Sequence, residues 1–273
     1  MKLSDNVKVT NSIFMKFGLI GDPIAHSLSP ALFKAGYDGR WAYELIEGSD
    51  FETSFKRFTD DYQGINVTAP FKEAAFAKAD VLSEECRLIG AANILVKTQD
   101  GVLASNSDYL GVRRWLQEIG AGDGSAVLIA GCGGAGKAAA FASATLGCKT
   151  VLMNRDRSKA ERIASKSDGA LHFEVADLCD FRKYLKHSNI IIYNIPSSIP
   201  ALQMLESSDL LKGAVVLEAN YRNPSFSGRI RDVLDEAGAN YVGGELWLLY
   251  QAVTGYKIFT GEEPDLTRMS ACL

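Results

Sequence analysis

Short apolar runs alternate along the chain with segments of helical pattern, with no internal repeat and no low-complexity tract. That alternation predicts an α/β protein with parallel sheets. Its clearest stretch is AVLIAGCGGAGKAAAFASATLGCKTVLMNR. Ala126 to Ala130 reads as a short apolar strand, a glycine loop follows, and Lys137 to Leu146 is alanine-rich with strong helix propensity. Gly147 closes that helix, and Lys149 to Met153 reads as a second strand. Nearer the start, GLIGDPIAHSLSPALF runs from an apolar strand through Gly21 and Pro23 to Ser27 and Ser29, with Pro30 suited to the first turn of a helix. NVTAPFK, residues 66 to 72, is an apolar stretch that stops on Pro70 and leaves one cation, Lys72. GAANILV and SNSDYLGV set Asn93 after a helical pattern and Asp108 after a short strand.

With 273 residues the chain can form two packed units or one large one. Hydrophobic residues at 47% and charged residues at 23% are ordinary for a soluble globular protein and exclude a disordered or collagen-like chain. Lys plus Arg number 29 against 33 Asp plus Glu, a net charge of −4, with no dense basic tract, so nucleic acid is not expected as a partner. The opening MKLSDNVKVTNSIFMKF breaks every apolar run with polar residues. Neither a signal peptide nor a spanning helix is expected there, and the expectation is a cytoplasmic protein with no membrane partner. Cysteines at 86, 132, 148, 179 and 272 form no C-x-x-C, and histidines at 26, 172 and 187 are scattered, so neither disulfides nor a metal is expected.

Gly131, Gly133 and Gly136 match G-x-G-x-x-G where the pyrophosphate of a dinucleotide would rest on a helix N-terminus. The triplet carries weight because a strand precedes it, a helix follows, and the second strand ends about 20 residues on. The plainer alternative is a glycine-rich turn in an ordinary α/β fold. Gly131 to Lys137 also fits G-x-x-x-x-G-K, but a P-loop needs a hydroxyl next to hold Mg²⁺, and that residue is Ala138. Asn154-Arg155-Asp156 ends the second strand. Arg155 can fork onto a 2′-phosphate and favours NADP, whereas Asp156 would repel that phosphate or accept from a bare 2′-hydroxyl, keeping NAD open. Two solvated loop charges are the alternative.

Ser27 and Ser29, two hydroxyls beside free helix-start amides, read as a carboxylate seat or as helix caps. His26 reads as structural or as a hydrogen-bond partner. Lys72, Asn93 and Asp108 would form a polyol site with an acid/base pair if they face one cleft; alone, Lys72 reads equally as a surface lysine with its stem on apolar ground.

GDPIAHSLSP, NVTAPFK, GAAN, NSDYLG, the glycine loop, NR and the stretch Gly244 to Gln251 stand in the order seen in shikimate dehydrogenases and span nearly the whole chain. The chain therefore resembles that family, including its quinate/shikimate relatives. The resemblance implies an N-terminal α/β substrate domain over residues 1–109, completed by C-terminal helices over 243–273. It implies a Rossmann-type doubly wound dinucleotide-binding domain over 110–242, with the active site in the cleft between. Ser27 and Ser29 would bind the substrate carboxylate, Thr68, Asn93, Asp108 and Gln251 would reach ring hydroxyls, and Tyr221 would join the substrate site. Lys72 and Asp108 would be the catalytic pair. Gly131, Gly133, Gly134, Ala135, Gly136, Asn154, Arg155, Lys159 and Gly244 would hold the cofactor.

The activity so implied is the reversible reduction of 3-dehydroshikimate to shikimate by hydride from NADPH, in the biosynthesis of chorismate and the aromatic amino acids, by a metal-free monomer or homodimer. An ammonium near the reacting carbonyl suits that chemistry, because charge gathers on oxygen as hydride arrives. Several residues depart from the family pattern: Asp156 stands where NADP-using members generally carry Thr, YNIPSSIP replaces an Asn-Ala-Thr stretch, Trp247 replaces a methionine, and no Thr follows Tyr221. Two further readings stay open beside an NADP-dependent shikimate dehydrogenase: an NAD-preferring quinate or shikimate dehydrogenase, and a non-catalytic nucleotide or metabolite sensor.

Overall fold

The computed structural model describes residues 15–166 and 171–273. Most of the N-terminal stretch over which no leader is expected, residues 1–14, lies outside them. The chain divides into two compact units, one running up to Gly111 and resuming over Leu249–Leu273, the other spanning Val112–Leu248.

The first unit contains β1 (Lys16–Gly21), α1 (Ser29–Gly36), β2 (Ala42–Glu47), α2 (Phe51–Asp61), β3 (Gly64–Val67), α3 (Lys72–Lys78), β4 (Val81–Leu82), α4 (Glu84–Ile89), β5 (Ile94–Thr98), β6 (Gly101–Ser105) and the start of α5 (Ser107–Glu118). Its strands form one sheet in the order β2-β1-β3-β5-β6-β4. Sequence alternation predicts parallel pairing throughout, and here the structure differs: β5 runs antiparallel to both β3 and β6. The reason is local. Thr98 pairs with Gly101 across a tight turn, Gly101 adopts φ +106°, and the Thr98 hydroxyl donates to the Gly101 carbonyl at 2.8 Å, so the chain reverses at once. Ile20, Phe58, Ile65, Val67 and Leu95 are among the buried side chains packed on this sheet.

The second unit contains β7 (Ala126–Ala130), α6 (Gly134–Ala144), β8 (Lys149–Met153), α7 (Arg157–Ala164), β9 (Phe173–Ala176), α8 (Phe181–Leu185), β10 (Ile190–Tyr193), α9 (Pro200–Gln203), β11 (Val215–Glu218), α10 (Arg229–Ala237), β12 (Asn240–Val242) and the start of α11 (Gly244–Thr260). Helix α12 (Leu266–Ser270) follows α11 in the first unit. All pairs in the second sheet are parallel, in the order β12-β11-β10-β7-β8-β9. Two βαβαβ halves meeting at β7 are the doubly wound Rossmann arrangement. Strand β7 is buried over Val127–Ala130, as a central strand covered on both faces requires. Both strands flanking the glycine loop fall where periodicity puts them. Helix α6 begins at Gly134 rather than Lys137, because Gly133 serves as N-cap and the glycine loop itself supplies the first turn.

Among the described residues no helix is long and apolar enough to cross a membrane, and no group of His, Cys, Asp or Glu is placed to hold a metal.

Candidate active site

In the first unit the polar residues at strand ends hydrogen-bond to one another. Lys72 opens α3 after a turn in which Phe71 N–H donates to the Thr68 carbonyl at 3.0 Å. Asp108 lies in the first turn of α5. Lys72 Nζ donates to Asp108 Oδ2 at 2.5 Å, and the two side chains are 21% and 15% exposed. A pair this shielded keeps more of its Coulomb attraction than a solvated one. The Lys72 carbonyl accepts from Ala92 N–H at 2.9 Å, which ties the lysine to the GAAN turn.

Asn93 follows that turn and is buried. Its Oδ1 accepts from Ser107 N–H at 2.7 Å, and its Nδ2 donates to Ser107 Oγ at 3.1 Å. Ser107 Oγ in turn donates to Gln251 Oε1, on α11, at 3.2 Å. Gly111 allows this approach, since a Cβ there would stand 2.7 Å from the Gln251 amide nitrogen. Ser107 is a junction the sequence reading did not name. The NSD triplet sets a hydroxyl beside an aspartate, but nothing in its spacing identifies partners 14 and 144 residues away.

Ser27 and Ser29 are half-buried and linked, Ser27 Oγ to Ser29 Oγ at 3.1 Å, with Ser27 Oγ also accepting from Ser29 N–H at 3.2 Å. Leu28, without a capping side-chain bond, is the N-cap of α1, so neither serine occupies the capping position. Tyr256, on α11, donates to the Ser29 carbonyl at 3.0 Å, and half-buried Tyr43 lies beside it, with 5.8 Å between the two ring centres. Burial pushes both phenols far above their ordinary range, keeping them neutral. Tyr43 donates to Asn66 Oδ1 at 2.7 Å, and Asn66 Nδ2 reaches the Asn93 carbonyl at 3.5 Å. A continuous chain of hydrogen bonds thus runs from Tyr43 through Asn66, Asn93 and Ser107 to Gln251. Thr68 borders it: its N–H donates to the Ile20 carbonyl at 2.9 Å, and its methyl lies against Gly21.

The second unit builds its site from backbone. Gly131 ends β7 with φ +99°, and a Cβ there would meet the Asn194 carbonyl carbon at 2.9 Å. A Cβ on Gly136 would lie 1.8 Å from the Gly131 carbonyl oxygen. The loop therefore closes tightly over the start of α6, with Gly133, Gly134 and Ala135 on the turn between. Asn154 completes it, accepting from Cys132 N–H at 2.9 Å and donating to the Asp156 carbonyl at 2.9 Å. Beneath the loop both side-chain amide atoms of Asn194 are buried without a hydrogen-bond partner among the described residues. An orphaned amide beside a glycine cradle and a helix N-terminus fits a site completed by a pyrophosphate-bearing ligand.

Arg155 and Lys159 are exposed, and neither is in an ion pair among the described residues. Asp156 is the N-cap of α7, accepting from Ser158 N–H at 3.1 Å and Ser158 Oγ at 2.7 Å. Those hydrogen bonds, the hydroxyl's first, hold its carboxyl below the usual range. The carboxylate that sets Asp156 apart from a threonine is thus turned onto its own helix. Gly244 opens α11, where a Cβ would meet the Ala219 carbonyl oxygen at 2.3 Å. Tyr221 stands in the loop after β11, with the Arg222 guanidinium 5.6 Å from its ring centre. Trp247 is buried in α11, and the YNIPSSIP segment folds back through a 2.7 Å bond from the Tyr193 hydroxyl to the Ser197 carbonyl.

A Rossmann-type unit with an intact glycine cradle, carried on the same chain as a shielded lysine–aspartate pair, is the equipment of an α/β nucleotide-dependent oxidoreductase. The family model for the shikimate dehydrogenase substrate binding domain matches residues 19–95, and that for shikimate / quinate 5-dehydrogenase matches residues 116–215. The shikimate dehydrogenase (NADP(+)) of Methanothermobacter thermautotrophicus is 31% identical over 271 residues, covering 94% of each chain. Quinate dehydrogenase from Corynebacterium glutamicum, solved with NAD, superposes with a TM-score of 0.83 at 26% identity over 94% of this chain and 98% of its own. Shikimate 5-dehydrogenase from Thermus thermophilus, solved with NADP(H) and shikimate, gives 0.79 at 25% identity over the same shares. The chain belongs to the shikimate dehydrogenase family.

Proposed function

We propose that this protein catalyses the reversible, NADPH-dependent reduction of 3-dehydroshikimate to shikimate, as a cytoplasmic step of chorismate and aromatic amino acid biosynthesis. The observation that carries the reading is the 2.5 Å bond between Lys72 and Asp108, within a chain of this family. In it the first unit takes the substrate and the second takes the nucleotide. Ser27 and Ser29 hold the substrate carboxylate, and Thr68, Asn93, Gln251 and Tyr221 orient the ring through its hydroxyls. NADPH, when bound, supplies the hydride; Gly131 and Gly133 to Gly136 cradle its pyrophosphate, Asn154, Arg155 and Lys159 take the adenosine 2′-phosphate end, and Gly244 lies on the nicotinamide side.

As the C3 carbonyl carbon accepts hydride, negative charge develops on its oxygen. The Lys72 ammonium stabilises that oxygen and transfers a proton to it, leaving a neutral amine that regains its proton from solvent. Asp108 aims the ammonium and favours its charged form. Oxidation of shikimate runs the same steps backwards. Initial rates with shikimate and with quinate, each with NADP⁺ and with NAD⁺, test the reading. It predicts the highest kcat/KM for shikimate with NADP⁺; a preference for quinate or for NAD⁺ would replace it, and no turnover of either acid would remove it.

A further inference from the structure

Behind the α5 start lies a carboxylate with no part in the chemistry above. Glu85, on α4, is 7% exposed, and among the described residues no cation pairs with it. A buried carboxylate is costly unless hydrogen bonds replace its water. Here three do, and all reach one oxygen: Glu85 Oε1 accepts from Ser83 Oγ at 2.5 Å, Ser105 Oγ at 2.6 Å and Asn106 N–H at 3.2 Å. The donors come from both sides of the junction, Ser83 being the N-cap of α4 and Ser105 the last residue of β6.

Asn106 is the pivot of this arrangement. Its Oδ1 accepts from Tyr109 N–H at 3.1 Å, the bond of a helix cap, and its Nδ2 donates to the Ala91 carbonyl at 3.0 Å. The two residues that follow are Ser107, which joins Asn93 to Gln251, and Asp108, which bonds Lys72. A helix start shifted by a fraction of an ångström or turned by a few degrees would move both.

We infer that Glu85 is a positioning residue: it fixes where α5 begins and so holds Asp108 at bonding distance from Lys72. The inference rests on the proposed dehydrogenase reading for its kinetic consequence, but not for the tie itself. Because a single oxygen takes all three bonds, Glu85→Gln preserves the acceptor, whereas Glu85→Ala leaves three buried donors unmatched.

The test pairs steady-state kinetics with amide hydrogen exchange over Asn106–Tyr109 in the full chain, at a temperature where each variant is folded by circular dichroism. For Glu85→Ala the expected result is a kcat for shikimate about tenfold to a hundredfold lower, the scale of a misplaced catalytic group, with KM changed far less. Exchange at 106–109 rises, and Glu85→Gln restores both readouts. A general loss of stability would leave kcat per folded molecule unchanged, and that outcome overturns the inference. So does a Glu85→Gln variant as impaired as Glu85→Ala, which would assign the effect to charge rather than placement. Unchanged exchange at 106–109 in Glu85→Ala overturns it whatever the substrate, so a protein inactive on shikimate would sink the parent reading and still leave the tie testable. If Glu85→Ala does not fold, Ser105→Ala removes one donor and must shift both readouts in the same direction by a smaller amount.

Discussion

In the first unit the residues assigned to a substrate are side chains from separate elements that bond to one another: Lys72 to Asp108, Asn93 to Ser107, Ser107 to Gln251. In the second, the cradle is backbone from one continuous strand, turn and helix, closed by the single side chain of Asn154. The two therefore fail differently. Deleting one side chain from a mutual network strands its partner, whereas a backbone cradle is damaged chiefly by adding atoms where a glycine leaves room.

The largest expected effect belongs to the network. Lys72→Ala should lower kcat for shikimate by about 10²- to 10⁴-fold, the usual contribution of a general acid, while shikimate affinity changes little. A variant that keeps more than about a tenth of the wild-type kcat would remove Lys72 from the chemistry. Next comes the cradle. Gly131→Ala forces a side chain into left-handed backbone at a cost of about 1–3 kcal/mol, and its Cβ must displace the Asn194 backbone. NADP⁺ titrations should show at least about tenfold weaker binding, equivalent to about 1.4 kcal/mol, with shikimate binding intact. Equal loss of both ligands would mean that the contrast between the units is not one of independent sites.

Ser27→Ala with Ser29→Ala probes the seat of the first unit. Two hydrogen bonds to a carboxylate at about 1.5 kcal/mol each predict a KM for shikimate raised by about two orders of magnitude, and unchanged kinetics would return both serines to a structural role. The smallest effects are expected at the rim of the second unit. Arg155→Ala should narrow the NADP⁺ over NAD⁺ preference, with the difference shrinking as salt is added. Asp156→Thr should tighten NADP⁺ a few-fold by removing a negative charge, without unfolding α7, because threonine also caps helices. Tighter NAD⁺ binding by the unmodified protein would instead give Asp156 the ribose hydroxyls.

How much of this could be read from residue order follows the same division. Strands β7 and β8 and the glycine cradle were legible because a strand, tight turn and helix leave their signature within about 30 contiguous residues. The start of α6 was misplaced by three residues because glycine carries little helix propensity of its own, and the helix begins on loop backbone. In the first unit, the antiparallel β5 was hidden within an otherwise alternating pattern, since one two-residue turn decides the direction of a strand. The residues offered Lys72, Asn93 and Asp108 as an acid/base site only on the condition that they face one cleft, and the assignment of Lys72 and Asp108 as a catalytic pair came from resemblance.

Chain order alone settles what depends on neighbours: alternating elements, a helix start at Pro30, and an alanine where a P-loop would need a hydroxyl. Such features arise from φ/ψ preference and short-range periodicity, which act over a few residues. Only the folded chain could decide that Lys72 meets a carboxylate 36 residues on, that Ser107 meets a glutamine 144 residues on, and that the Asp156 carboxylate caps its own helix. Those outcomes depend on sheet order and on how closely packed elements approach, and a hydrogen bond forms or fails over a few tenths of an ångström that residue spacing does not encode.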